Sequence, residues 1–399
     1  MNEFQAKLKK EIKKVIPEIQ SVRRYLHQNP EIGLHEFKTA SSIKNFLFEL
    51  GYKPIKPLLG TDVIVELKGK QESFICLRAD IDALPIEEKT GKSYASKNKG
   101  FAHSCGHDGH TAILLGTAKV LKRLEIVPEY SIRFIFQPGE EILAAGKDLV
   151  AKGCCSQAIA TYALHGWPGL KTGTISCKSG PIFAAGALFK IEMIGTGCHG
   201  AMPEMGNNPI LGVSELILGL EQLHQKHQAK DKSVISVCKI HAGNSSNVIP
   251  NSGIIEGTVR YLNENSAPEI ENDIRNLIGE IGANRNLQFK INYDSPYSLP
   301  TNNSFIEAER VKAIAKKNLG SDSFEEAPSC SMANEDFAFY LDQTPGAMMR
   351  LGLGESHAGL HSPHFDFNDA ALESGMLLFC SLALDPHTSS RTKGIKIKS

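Results

Sequence analysis

Residues 130–164 read YSIRFIFQPGEEILAAGKDLVAKGCCSQAIATYAL, and this stretch decides the fold. Tyr130, Ile132, Phe134 and Phe136 alternate with their neighbours, which is the period of a strand. Gln137-Pro138-Gly139 closes it. The spacing then predicts a helix from about Glu140 to Ala151, followed by a buried strand over Ile159–Leu164. The unit strand–helix–strand implies an α/β layer fold with a largely parallel sheet.

The same style extends on both sides. Phe4, Leu8, Ile12, Ile16, Ile19 and Val22 recur at helical spacing, predicting an amphipathic helix over residues 2–28 that Pro17 kinks or splits. A second helical pattern covers Ser41–Leu50 and stops at Gly51. Val63–Leu67 and Phe74–Ala79 are short β-rich runs, and 110–124 is helical. Between 184 and 296 the order changes to β-α-β-β-α-β: strands at 189–193, 233–240, 254–262 and 287–293, with helices at 210–224 and 268–281. Such a split βαβ, ferredoxin-like α+β unit forms its own small sheet-and-helix domain. The helix at 303–318 returns to the first style. The expected organisation is a larger domain built from 1–183 and 297–385, a domain inserted at 184–296, and a disordered tail at 386–399 that is polar, basic and without period.

Composition bounds the function. A chain of 399 residues suits about two domains. Lys plus Arg and Asp plus Glu number 44 each, so no global field favours nucleic acid or an anionic membrane. The apolar runs fall far below the ~20 residues that span a bilayer. The N-terminus alternates charge with apolar residues and lacks a signal-peptide core. Nine scattered cysteines, an odd number, fit reduced thiols in a cytoplasmic enzyme better than a disulfide framework.

Chemistry-bearing residues gather at predicted strand ends and loops. His103-Ser104-Cys105-Gly106-His107-Asp108-Gly109-His110 is the densest cluster, and thiolate and imidazole are good ligands for zinc and similar divalent ions. His110 caps or packs in this reading. Glu140 and Glu141 follow the strand 130–136, at the edge where open α/β sheets place ligand crevices. Adjacent acids also complement a helix dipole, but beside a Cys/His cluster they can divide the tasks of anionic ligand and proton acceptor. Asp80 and Asp82 end another strand, where Asp82 can orient a ligand histidine. His165 closes the strand 159–164. His361 and His364 lie in LHSPHFDF at 360–367, and the residues alone do not choose between them. In the inserted region, His199 sits in a Gly-rich turn, Asn247 starts a turn, and Arg260 lies in a strand. Such residues can hold an oxyanion and a substrate carboxylate. No Gly-x-Ser-x-Gly elbow and no phosphate loop is present. Cys105 as a thiol nucleophile leaves the neighbouring histidines and the Glu pair unused.

Taken together, LRADIDALP (77–85), HSCGHDGH (103–110), FQPGEE (136–141), LHGWP (164–168), GCHGAMP (197–203), NVIP (247–250), MANEDF (332–337) and LHSP (360–363) resemble the aminoacylase and carboxypeptidase-G-like metallopeptidase superfamily. They match in particular its amidohydrolase branch of hippurate hydrolases and indole-acetyl-amino-acid hydrolases. The resemblance implies a zinc-peptidase-like catalytic domain and an inserted lid that serves dimerisation, as a homodimer or homotetramer. It implies two divalent ions (Mn, Zn, Co or Ni) held by Cys105, His107, Glu141, His165 and His361, the last selected over His364. It implies Glu140 as general base and acid, Asp82 as an orienting acid and His199 as oxyanion donor, with Asn247 and Arg260 near the substrate. Cys198 stands where glycine is usual, and His364 where an aromatic is frequent. The expected reaction is hydrolysis of the amide of an N-acyl amino acid by a metal-bridged hydroxide. An N-acetyl-diaminopimelate-type deacetylase or small peptidase is the alternative enzyme, and a metal-dependent binding protein the non-enzymatic one.

Overall fold

The computed structural model describes residues 3–143 and 145–387. The chain divides into two compact units: Met1–Lys178 with Asn303–Glu326 and Tyr340–Ser399, and Ser179–Asn302 with Ala327–Phe339. The expected tail at 386–399 lies almost wholly outside the described residues.

The larger unit is built on a seven-stranded mixed sheet. Its order is Val63–Leu67, Tyr130–Gln137, Gln71–Asp80, Ala158–Pro168, Gly346–Gly354, Ile175–Cys177 and Phe324–Glu326. Tyr130–Gln137, Gln71–Asp80, Ala158–Pro168 and Gly346–Gly354 run parallel. Their middles are apolar and buried without alternation, as strands covered on both faces must be. Helices Glu3–Gln28, His107–Arg123 and Leu372–Leu384 contribute to the same hydrophobic core. Pro17 does not end the first helix, which runs through it. Buried Leu8, Ile12, Val15 and Ile19 flank the proline on both sides, so tertiary burial offsets the lost hydrogen bond. The helix expected over 140–151 is instead two short pieces, Glu140–Leu143 and Gly146–Ala151, and the Ala145 amide turns back onto the Gly139 carbonyl at 3.2 Å.

The smaller unit is a four-stranded antiparallel sheet in the order Gln288–Ser298, Ala185–Ile194, Ser252–Tyr261, Val234–Ala242. Helices Pro209–Asp231 and Ser266–Arg285 share its core, with Ile270, Ile274 and Ile278 fully buried beside Ile191, Ile255 and Val259. The stretch Ala327–Phe339, within the range expected for the larger domain, groups with this unit. Backbone bonds fasten it: Ser331 N–H reaches the Ile182 carbonyl at 2.9 Å, and Ala184 N–H reaches that of Ser331 at 3.0 Å.

Candidate metal centre

The parallel register of the larger sheet gathers the chemistry at one edge. Asp80 pairs with Gln137, so the residues that follow these two strands, Asp82 and Glu140–Glu141, leave the sheet side by side. His165 sits near the end of the next parallel strand. The cluster at 103–110 enters as a loop that turns into the helix His107–Arg123 through Gly106, whose φ of 90° is left-handed. A side chain there would be strained and would crowd Phe365 and Phe367.

The five residues assigned by resemblance as ligands meet. Cys105 Sγ lies 3.4 Å from His165 Nε2, Glu141 Oε1 lies 3.3 Å from His361 Nε2, and His107 Nε2 lies 3.8 Å from the same Glu141 oxygen. Cys105, His107 and His165 place ligand atoms within 4.8 Å of one another, and so do Cys105, Glu141 and His361. The two triads share the thiol. His107, Glu140 and Glu141 form a third such group, which sets Glu140 beside the cluster. His364, by contrast, is in none of these groups, and its Nδ1 is bonded to the Lys89 carbonyl at 2.9 Å. His361 takes a left-handed φ of 62°, and its amide donates to the Ser104 carbonyl at 2.8 Å, so the two ligand loops are tied through backbone.

Surrounding bonds set the ring tautomers. His165 donates from Nδ1 to the Gly166 carbonyl at 2.8 Å, leaving the Nε2 lone pair toward Cys105. His107 donates from Nδ1 to Asp82 at 3.1 Å. The other Asp82 oxygen accepts the Glu141 amide at 2.9 Å, so this one carboxylate orients both a ring and a turn. His110 is fully used: Nε2 accepts the Gly166 amide at 2.8 Å, and Nδ1 meets Asp80 at 2.6 Å. With Asp80 and His107 it forms a further group whose ligand atoms lie within 4.8 Å of one another.

The electrostatics fit a cation. His107 Nε2 is buried and makes no hydrogen bond. Burial works against a charged His107, yet Asp80, Asp82 and Glu141 together raise its pKa to about 10. Positive charge is therefore favoured at this spot. Burial and the charges of Glu141 and Glu140 push the Cys105 thiol well above its ordinary range, so a thiolate here needs a counter-cation. Burial lowers His165 to about 3, which keeps it neutral and able to coordinate. A thiolate, three imidazoles and a carboxylate form a donor set suited to first-row divalent ions.

A charge network braces the loops. Buried Asp108 accepts from His27 Nδ1 at 2.8 Å and from Arg23 at 3.3 Å. Arg23 also reaches Asp366 at 2.6 Å and Asp369 at 2.8 Å. The first helix thus links the loop bearing His107 to the one bearing His361. Sequence reasoning missed Arg23, His27 and Asp108, because their partners lie up to 346 residues away and no spacing announces them.

The smaller unit separates its three candidates. Short strands Cys198–His199 and Val248–Ile249 pair, placing His199 opposite Val248 and beside Asn247. His199 Nδ1 accepts the Ala201 amide at 3.1 Å, so the neutral ring carries its proton on Nε2 and can donate outward. Asn247 accepts from Ser245 Oγ at 2.6 Å. Arg260, however, pairs with Gly186 near the far end of the strand that begins at Ser252. Eight residues of extended chain separate Ser252 from Arg260, roughly 26 Å. At that far end a β-carbon on Gly186 would lie 2.8 Å from the Arg260 guanidinium and 2.9 Å from the Asn334 amide nitrogen. The Asn334 side-chain atoms are buried without hydrogen bonds, and the MANEDF run that holds them had yielded no assigned residue.

Among the described residues, no helix is long and apolar enough to cross a membrane. Residues 76–385 match Peptidase family M20/M25/M40. The chain is 38% identical over 353 residues to an N-acetyl-L-cysteine deacetylase of Bacillus subtilis, covering 88% of this chain and 84% of that one. It is 32% identical over 371 residues to the IAA-amino acid hydrolase ILR1-like 4 of Arabidopsis thaliana, with coverage of 91% and 84%. The solved structure of the Bacillus subtilis YXEP protein, described as a dinuclear metal binding peptidase from the M20 family, superposes with a TM-score of 0.80 at 31% identity, covering 93% and 98%. With a family match over most of its length and relatives above 30% identity, the chain belongs to Peptidase family M20/M25/M40.

Proposed function

We propose that this protein is a metal-dependent amidohydrolase that cleaves the amide bond of N-acyl amino acids. The observation that carries the reading is the convergence of Cys105, His107, Glu141, His165 and His361, from distant parts of the chain, around His107 Nε2, which is buried without a hydrogen bond. Relatives named for N-acetylcysteine deacetylation and for hydrolysis of indole-acetyl amino acids support the substrate class.

The five residues would hold two divalent ions, manganese, zinc, cobalt or nickel. Bound there, the ions would supply Lewis-acid polarisation of the acyl carbonyl and acidify water near neutral pH. Asp82 holds the His107 ring and the Glu141 amide in place. Glu140 takes the proton of the attacking water and returns it to the amine nitrogen as the C–N bond breaks. His199, presenting Nε2–H, donates to the oxyanion. Arg260 receives the substrate carboxylate, with Asn247 a further substrate contact.

The strand length between His199–Asn247 and Arg260 bears on assembly. A small N-acyl amino acid is far shorter than roughly 26 Å, so one substrate cannot touch both ends of one strand of this length. A homodimer or homotetramer formed through the smaller unit resolves this, one copy supplying His199 and Asn247 to the site of another. Val234–Ala242 is an edge strand of that unit and carries exposed Ile240, which suits self-association. Location in the cytoplasm is supported by nine cysteines without a disulfide.

The test is a panel of N-acetyl, N-benzoyl and indole-acyl amino acids, assayed after chelation and reloading with each of the four metals. Turnover that needs added metal and releases the free amino acid is expected. Binding of acyl amino acids without release in every metal form would instead favour a binding protein.

A further inference from the structure

Glu36 is wholly buried, just before the helix Phe37–Glu49, and no part of the reaction above uses it. Its carboxylate reaches across 103 residues of sequence. Oε1 accepts the Gly139 amide at 2.9 Å, and Oε2 accepts the Thr61 hydroxyl at 2.9 Å. Gly139 is buried, follows the end of its strand, and has a left-handed φ of 63°, so its N–H has no ladder partner. A buried amide in that position must find an acceptor. The segment that supplies it is itself fixed: Ala83 donates to the Glu31 carbonyl at 2.8 Å, and Ala40 donates to that of Glu36 at 2.8 Å.

The next fixed point along the turn is the Glu141 amide, held by Asp82 at 2.9 Å. Two buried carboxylates therefore grip the amides on either side of Glu140. We propose that Glu36 is a positioning residue for the reaction, seating the Gly139 amide so that Glu140 presents its carboxylate to the attacking water. The inference rests on the reading of Glu140 as the proton-transfer group. Burial raises Glu36 to about 7; its own amide, Thr61 and Gly139 oppose this, and the Asp82 charge reinforces it. Besides the Gly139 amide the same buried carboxyl takes the Thr61 hydroxyl, so it ties the turn before Glu140 to a second segment of the chain.

Three variants of the metal-loaded full chain test this, assayed with an acyl amino acid that turns over in the panel above. E36L removes the acceptor and is expected to lower kcat about 10–100-fold, the scale of a slightly misplaced catalytic group, with KM within about threefold. Its metal content should stay at the wild-type level, because Asp82 still holds Glu141. Peptides covering residues 137–141 should exchange amide hydrogens faster. E36Q keeps an acceptor for Gly139 and an amide for Thr61, and should recover kcat to within about tenfold of wild type, one hydrogen bond's worth. If E36L does not fold, T61V carries the test, with kcat expected to fall roughly 2–10-fold at constant KM. An unchanged kcat in E36L or T61V, or a loss in E36L that tracks lost metal, overturns the assignment. E140Q beside them separates the failures. Full turnover there removes the general-base reading, whereas an inactive E140Q with an unimpaired E36L removes only the role of Glu36.

Discussion

The Cys/His/Glu cluster of the larger unit and the His199–Asn247–Arg260 set of the smaller one were read from the same kind of motif, yet they fold differently. In the first, residues from four distant segments converge, mostly buried, with the His107 and His165 rings each oriented by a specific acceptor. In the second, His199 and Asn247 are exposed in neighbouring turns, and Arg260 stands near the other end of a ten-residue strand. The cluster is constrained to hold like charges close together within one chain, where they repel until an ion sits among them. Groups that touch only substrate carry no such constraint, so they can be drawn from separate copies.

That contrast is exposed first by E140Q. It should lose about 10²–10⁴ in kcat while binding metal as before, the loss expected when a positioned acid-base group is removed. Metal analysis beside single-turnover rates checks it. Wild-type turnover in a fully loaded E140Q would mean that the cluster does its chemistry without Glu140.

H199A should lose about 10²–10³ in kcat, the scale of one lost oxyanion donor, with metal content unchanged. Mixing it with E140Q breaks or sharpens the comparison directly. If His199 serves another copy's site, co-refolded mixtures regain about a quarter of wild-type activity, since half the dimers are mixed and each has one intact site. No recovery, in a mixture shown to exchange subunits, places His199 and Glu140 in service of the same chain.

How much of this was legible follows from the same contrast. The larger fold showed itself because its central strands are apolar runs ending in motifs, and a strand's end is where side chains leave the sheet. The β-α-β-β-α-β order of 185–298 was equally open, since each element keeps its own period. The division into Glu140–Leu143 and Gly146–Ala151 was not, because it goes with Ala145 bonding back to Gly139, a tie that no residue spacing announces. Pro17 misled for the converse reason: local chemistry argues for a break that burial on both sides overrides. Glu36 and Arg23 were invisible. A buried acid or arginine looks like a surface one until its distant partner is known, and these partners are 103 and 85 to 346 residues away.

Asp82 offers a smaller effect. D82N leaves every assigned ligand in place but weakens the acceptor that holds both His107 Nδ1 and the Glu141 amide. Metal affinity should fall about 10–100-fold, the usual consequence of losing an outer partner of a ligating histidine. Titration with a metal-indicator competitor measures it. The contrast predicts no such change in N247A, because Asn247 bonds Ser245 and is itself no member of the clustered groups. Equal metal loss in D82N and N247A would mean that the two regions are not chemically separate.

The smallest effect concerns the brace rather than the site. Burial would lower the pKa of His27, but its bonds to Asp108 and Glu88 raise it to about 9. An unfolded histidine titrates near 6.5, so the folded state holds this proton more tightly than the unfolded chain does. The stabilisation it confers is complete below about pH 6.5, declines from there, and is gone once pH has passed about 9. Its size is on the order of 3 kcal/mol. H27Q should therefore be less stable than wild type at pH 6, with the gap in urea-unfolding free energy closing toward pH 9.5. Because Asp108 follows His107 directly, the same variant should bind metal less tightly at pH 6 than wild type, and the deficit should shrink over the same window. A gap that widens with pH would show that His27 is neutral in the fold, and that Arg23 alone counters the charge of Asp108.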